Sequence, residues 1–292
     1  MEIRLLRRNE IDDEKWNKSI ATSIHVSVYA LTWYLDAMTD CKWQAWISGD
    51  YEIVMPFYKK YKYGIPYITQ PFLCQRLGLF HNKKEITPNE IDAFYDKLSS
   101  KVFKYDILTN DDFPLKLKHV KKENQILDLT LTYENLVKNY NRNTKRNLTF
   151  AKAVENHHVN ENKDIKAQID FLKDNDPTLL LKKHYSKVEI LIKSSIPLKS
   201  GFLVSVVEND EIRASAFFIL FGNRVYFLLC ASDHRGKQIK SMYLLIDHVI
   251  QKYAGENKIF DFTGSNIQSI AQRNLGFGAS VENYYHVKGS WF

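Results

Sequence analysis

The sequence predicts an α/β (α+β) fold of two similar lobes, each a mixed, mostly antiparallel sheet flanked by helices. Two observations predict it. Residues 44–58, "QAWISGDYEIVMPFY", and residues 204–218, "VSVVENDEIRASAFF", are both hairpin patterns, two apolar runs around a Gly/Asn/Asp turn. Behind each hairpin the same order recurs: a further turn and strand, an amphipathic helix, then a short strand bearing an acid.

In the first half the further strand is "YKYGIPYI" at 61–68. The helix is "TPNEIDAFYDKLSSKVF" at 87–103, with Thr87 as N-cap, Pro88 in the first turn and acids early; the strand is "KYDILTN" at 104–110. In the second half the corresponding segments are "FGNRVYFLLC" at 221–230, "SMYLLIDHVIQKYAG" at 241–255, which Gly255 closes, and "KIFDFTG" at 258–264. Between the halves, "TYENLVKNYNRNTKRNLTFAKAVEN" at 132–156 reads as one long helix with Leu136, Val137, Tyr140, Leu148 and Ala151 on its apolar stripe. Two amphipathic helices follow, over 162–175 and 177–195. The expected lobes are therefore 1–131 and 132–292, the second beginning with the inter-lobe helix. No Pro/Ser-rich linker separates them.

Composition narrows the function. Forty-five per cent hydrophobic residues make a globular protein with a real core the expectation. A formal net charge of +7 favours anionic partners such as nucleotides, acyl carriers, tRNA or a membrane surface. Three cysteines, Cys41, Cys74 and Cys230, form no CxxC, so neither a disulfide framework nor a zinc site is readable and a cytoplasmic setting is expected. The nine histidines show no metal-ligand spacing, no segment has the length of a membrane span, and G-x-S-x-G and Walker patterns are absent from the sequence.

Three stretches carry candidate chemistry. In "NRNTKRN", steps of three and four set Arg142, Lys145 and Arg146 on one helix face, suited to a phosphate or carboxylate. In "SDHRGKQIK" at 232–240, a strand–loop–helix joint offers backbone N–H groups to an anion, with Arg235 and Lys237 adding charge and Gly236 permitting close approach. In "DFTGSNIQSIAQRNLGFGA" at 261–279, alternation sends Asp261 and Ile259 to one face and Phe260 and Phe262 to the other. Ser265 or Asn266 caps the short helix that follows, and the glycines end it and allow a tight return to the sheet.

Together these stretches resemble the FemAB-like branch of the GNAT acyltransferase superfamily, in which two GNAT-like lobes are fused. "YNRNTKRNLTFAKA" at 140–153 resembles the family's inter-lobe helix, and "FDFTGSNIQSIAQRNLGFGA" at 260–279 its closing strand–helix–strand element. Residues 32–57 and 63–80 are similar to its first lobe. The resemblance implies transfer of an acyl or aminoacyl group to an amine. The donor would be acyl-CoA as co-substrate, with no tightly bound cofactor, or, as in true Fem ligases of the peptidoglycan bridge, an aminoacyl-tRNA. The implied partners are thus a phosphate-bearing anionic donor and an amine acceptor, with no double-stranded DNA.

On that resemblance "SDHRGKQIK" occupies the place of the pyrophosphate loop, so Arg235, Gly236 and Lys237, with Asn266, fall to donor binding. A strand N–H near Leu228–Cys230 would polarise the donor carbonyl. Arg142, Lys145 and Arg146 would hold a phosphate of donor or acceptor. Tyr226, His184, Asp233 and Asp261 are unranked candidates for the proton acceptor. The sequence departs from the family pattern in two places: Gln238 and Lys240 stand where the loop has Gly and Gly/Ala, and Arg273 stands near the place of a Tyr acid. A coiled-coil arm for tRNA is also absent from the pattern. These departures admit a third reading, a binding protein that kept the fold and lost the chemistry.

Overall fold

A computed structural model of the chain describes residues 1–110, 116–176, 180–264 and 267–290. The chain forms two compact units, Met1–Glu123 with Asn283–Phe292, and Asn124–Glu282.

The first unit contains β1 (Arg4–Arg7), α1 (Asp13–Thr22), α2 (Thr32–Thr39), β2 (Gln44–Ser48), β3 (Ile53–Phe57), β4 (Lys59–Lys62), β5 (Ile65–Thr69), β6 (Phe80–His81), α3 (Pro88–Lys101) and β7 (Lys104–Asn110). Strands β1, β2, β3 and β6 lie side by side in that order, all antiparallel. β4 pairs antiparallel with β5, and β5 parallel with β7. The parallel step is made by α3, and its start follows the sequence signals closely. Thr87 accepts the Glu90 N–H while the Glu90 carboxylate accepts the Thr87 N–H, and Pro88 opens the helix. Ile91, Phe94, Tyr95 and Leu98 of α3 are buried with Met55, Phe57, Ile68 and Ile107.

The second unit takes in β8 (His119–Asp128) from Asn124 onward. It continues with α4 (Tyr133–Lys138), α5 (Arg142–Lys152), β9 (His157–Glu161), α6 (Ile165–Asp174), α7 (Leu180–Ser195), β10 (Gly201–Glu208), β11 (Glu211–Phe221), β12 (Arg224–Ser232), α8 (His234–Gln238), α9 (Ser241–Tyr253), β13 (Ile259–Asp261) and α10 (Gln268–Gly276). The last strand, β14 (Ser280–Ser290), passes to the first unit at Asn283, where it pairs antiparallel with β7. The sheet order is β8-β13-β12-β11-β10-β9, antiparallel except for the β12–β13 pair that α9 connects. Each unit therefore has one strand–helix–strand parallel step, β5–α3–β7 and β12–α9–β13, in an otherwise antiparallel setting. Asn209 and Asp210 take φ +52° and +64° in the two-residue β10–β11 turn, the conformation that made "END" readable as a hairpin. Phe202, Phe218, Phe227, Phe260 and Phe262 are buried together against α9, each contributing roughly 1.5–3 kcal/mol of burial free energy.

The segment 132–156 is not one helix. It breaks at residues 139–141 into α4 and α5, because Asn141 is extended and its side chain accepts the Thr144 N–H at 2.8 Å, so a helix starts anew there. Of the residues expected on its apolar stripe, Leu136, Tyr140, Leu148 and Ala151 are buried and Val137 is half-buried against the same core. Residues 177–179, expected in the helix that α7 supplies, and Ser265 and Asn266, expected as caps, with Asn266 also expected in donor binding, lie outside the described residues. Among the described residues no helix is long and apolar enough to cross a membrane.

Candidate functional site

β12 and β13 pair only through Arg224–Ile259, Val225–Phe260 and Tyr226–Asp261. β13 then ends and β12 runs on to Ser232. In the β11–β12 ladder Phe218 faces Phe227 and Phe217 faces Leu229, so Leu228 is the extra residue of a β-bulge. Thr263, at φ +58°, turns the chain away after β13, and its hydroxyl donates to the Phe227 carbonyl at 2.8 Å. Along the β12 edge that β13 leaves lies a cleft of about 290 Å3, lined by Cys230, Ala231 and Ser232 of β12, Gly236 and Lys237 of α8, Lys240, Met242 and Tyr243, and Ile270 and Arg273 of α10. A second, more polar cleft of about 420 Å3 shares Tyr243 and Arg273 with it and reaches Asn141, Asn143 and Thr144 of α5.

Local chemistry fixes the α8 joint. The Asp233 carboxylate caps α8, accepting the Gly236 N–H at 2.5 Å, and also accepts from Arg213 at 3.2 Å. A Cβ on Gly236 would stand 2.0 Å from the Arg213 carbonyl oxygen, so this position requires glycine for backbone contact. Arg235 is committed to Glu208, donating from Nη2 at 2.6 Å, and Arg213 joins the same carboxylate. The hydrogen bond from Arg235, more than burial opposes it, holds Glu208 below the usual carboxylate range. Of the loop residues expected to bind the donor, Gly236 and Lys237 line the cleft, whereas Arg235 is turned to Glu208. Lys240 takes φ +64°, a left-handed conformation at the place where the family pattern has Gly/Ala. Cys230 lines the cleft wall. Burial pushes its thiol up in pKa, and the neighbouring Arg273 guanidinium opposes that shift.

The four candidate proton acceptors are scattered. Tyr226 is 1% exposed within the sheet and Asp261 is fully buried. Asp261 accepts from Arg224 at 2.8 Å and from Asn124 at 2.9 Å, which makes it a member of a buried ionic cluster with Glu282. Asp233 is the α8 cap. His184 sits in α7 at a non-helical kink, φ −116° and ψ 17°. None of the four lines the two clefts.

The basic face of α5 also differs in what it meets. Arg142, Lys145 and Arg146 are exposed, Lys145 donating to the Lys138 carbonyl and Arg146 to Asn143. The cleft side of the α5 start is instead Asn141, Asn143 and Thr144. The α10 end packs there: Asn141 N–H donates to the Gly276 carbonyl at 2.9 Å, and a Cβ on Gly276 would meet Thr144 Oγ1 at 2.5 Å. Tyr243 does not stand out in the sequence, because within "SMYLLIDHVI" it reads as one more apolar residue of a buried helix. Its only sequence signal was a polar ring in the first turn of the helix after the loop.

A further buried network steadies this wall. Asp247 of α9, 2% exposed, accepts from Tyr133 at 2.9 Å, Tyr140 at 3.1 Å and Lys152 at 2.9 Å, tying α4 and α5 to α9. Burial first, and the Asp247 charge second, raise both tyrosines in pKa, so both remain hydrogen-bond donors.

No family model matches the sequence, and neither does any curated protein. Solved structures do match. FemX superposes with a TM-score of 0.69 at 12% identity over 98% of this chain and 97% of its own. A tandem GNAT protein from the clavulanic acid biosynthesis pathway gives 0.53 at 10% identity over 98% of each chain. L-PGS from Bacillus licheniformis gives 0.52 at 14% identity over 94% of this chain and 90% of its own. At such identities the likeness is one of fold, and the chain has the FemAB-like GNAT fold with two lobes.

Proposed function

We propose that the protein transfers an acyl or aminoacyl group to an amine at the paired clefts of the second unit. The observation that carries this reading is the early parting of β12 and β13, with a bulge at Leu228 and a cleft along the β12 edge that β13 leaves. A donor carbonyl laid along Leu228–Cys230 would lie against the β12 edge that β13 leaves, next to the bulge residue Leu228, where strand N–H groups suit a developing oxyanion. Lys237, Lys240 and Arg273 supply positive charge for the donor's phosphates. The neutral amine attacks the carbonyl carbon, the C–N bond forms, and collapse expels the donor's sulfur or oxygen. Tyr243, shared by both clefts, gives the leaving group its proton and regains one from the new ammonium. The polar cleft with Asn141, Asn143 and Gln272 is the acceptor's side.

One observation favours an aminoacyl-tRNA donor over acyl-CoA. The Asp233 carboxylate already occupies the Gly236 N–H, a donor that a pyrophosphate would otherwise use, and places a negative charge beside it. Calorimetry with acetyl-CoA, a longer acyl-CoA and a charged tRNA separates the donors, and binding of none of them sinks the transferase reading. Tyr243→Phe should keep donor affinity and lower turnover about 10²-fold or more. Unchanged turnover removes Tyr243 from the mechanism. Donor binding without any transfer would leave a binding protein on a transferase fold.

A further inference from the structure

The β4–β5 hairpin of the first unit takes no part in the clefts above. β4 stands at the edge of its sheet, with Lys60, Tyr61 and Lys62 exposed. At the turn Tyr63 and Gly64 take φ +52° and +78°. The first position of such a two-residue turn favours Asn, Asp or Gly. Here it is a tyrosine that is 93% exposed, beside Tyr61 at 65% and Ile65 at 45%.

Lysines and rings alternate. The Lys59 ammonium lies 5.4 Å from the Tyr61 ring, Lys60 5.0 Å from Tyr58, and Lys62 5.6 Å from Tyr63. Among the described residues none of these lysines pairs with a carboxylate. Lysines on an edge strand guard against strand addition. That role explains the charges but leaves the exposed tyrosines and Ile65 without one.

The hairpin also borders a hollow lined by both apolar and polar side chains. Lys59 pairs with Ile68 and Tyr61 with Pro66, so Lys59 and Tyr61 share the face on which Ile68 is buried. On that face a cleft of about 410 Å3 is lined by Trp46, Phe57, Ile68 and Val102 together with Gln44, and among the described residues Lys59 and Lys97 are the charged ones. Lys59 and Tyr61 lie on the hollow's side of the hairpin and Lys60, Lys62 and Ile65 on the other, so its tip presents rings and ammonium groups on both faces, which complements a partner that is apolar inside and anionic outside.

We propose that this hairpin docks the first unit onto an anionic membrane surface. Tyr61, Tyr63 and Ile65 sit at the headgroup level, where a phenol ring faces the acyl region and its hydroxyl stays wet. Lys59, Lys60 and Lys62 reach lipid phosphates, their aliphatic stems lying along the apolar surface. Single-stranded RNA also combines aromatics with lysines, but it is held in a basic groove with a stacking platform. Tyr63 instead stands out at a turn.

The docking is independent of the transfer reading and is tested without activity. The full chain is sedimented with vesicles of phosphatidylcholine alone and of phosphatidylcholine mixed with phosphatidylserine. Binding is expected to the mixed vesicles, to weaken with added salt, and to fall about fivefold for each of Lys60→Gln and Lys62→Gln. The double variant Tyr61→Ser, Tyr63→Ser should also lose binding. All variants should keep the wild-type circular dichroism spectrum, since the side chains are exposed. The proposal is overturned if the protein ignores mixed vesicles, or if the variants bind them as the wild type does. It is equally overturned if a labelled single-stranded RNA, and not the vesicles, binds in a way these substitutions abolish.

Discussion

Asp261 Oδ2 accepts from Arg224 Nη1 at 2.8 Å in a site where the aspartate side chain is 0% exposed. Asn124 and the Thr263 N–H fill the other oxygen, at 2.9 and 2.8 Å. Burial works to lower the Arg224 pKa, but Glu282 and Asp261 outweigh it and keep the guanidinium charged. The cluster pins β13 to β12 just where the two strands part, so Asp261 shapes the cleft without entering it. Asp261→Ala should therefore cost about 3–5 kcal/mol, because it leaves Arg224 buried with one partner fewer. Urea unfolding measures this. A variant that folds with wild-type stability and loses only turnover would return Asp261 to the reaction.

The Asp233–Gly236 contact yields a prediction of the opposite kind. Asp233→Asn removes a negative charge beside the cleft residue Gly236 and weakens the cap on α8. Stability should fall by about 1 kcal/mol or less, since Asn caps nearly as well as Asp. Affinity for a phosphate-bearing donor should rise, and calorimetry against the best donor checks it. A fall in affinity with the fold intact would mean that Asp233 holds the loop in its binding shape.

Much of this architecture was legible from local chemistry. Asn209–Asp210, the Thr87/Glu90 capping box and the Gly276–Gly278 step each act within a few residues, so they could be read directly. The break between α4 and α5 is hidden in the sequence because Asn141 looks like a weak interior residue until its cap on Thr144 is seen. The buried side of α5 includes Thr144 and Asn147, so a hydrophobic stripe alone could not show which way the helix turns. Spacing set Arg142, Lys145 and Arg146 on one face, but which face meets the cleft depends on α10, more than a hundred residues away in sequence. Tyr243 and Arg273 come together only through tertiary packing, which neither sequence periodicity nor a motif records.

Glu90 gives the fold a defined acid response. The Lys83 side chain first, and the Thr87 N–H next, hold its carboxyl down to about 2. A carboxylate depressed in the folded state stabilises above its unfolded value, and that stabilisation is lost as pH falls toward the folded value. The Glu90 contribution should thus be complete at neutral pH and fade between about pH 4.5 and 2. Because the pair is partly solvated, about 1 kcal/mol is the expected size. Urea midpoints of wild type and Glu90→Gln should differ at pH 7 and converge toward pH 2. A difference that persists unchanged at pH 2 would assign the effect to packing.

Gly276 makes the sharpest test of how the two clefts are built. The α10 end reaches α5 through the Asn141–Gly276 hydrogen bond, and an added methyl group would stand 2.5 Å from Thr144 Oγ1 and 3.1 Å from Asn141 Nδ2. Thr144 is 1% exposed and cannot swing into solvent. Gly276→Ala should therefore push α10 off α5, costing about 1–3 kcal/mol, and carry Arg273 and Leu275 away from the polar cleft they line. Thr144→Ala removes the atom that clashes. If the contact is the cause, the double variant should recover part of the loss, with a coupling of about 1 kcal/mol in a double-mutant cycle. Strict additivity would place the cost of Gly276→Ala in the backbone of α10 instead.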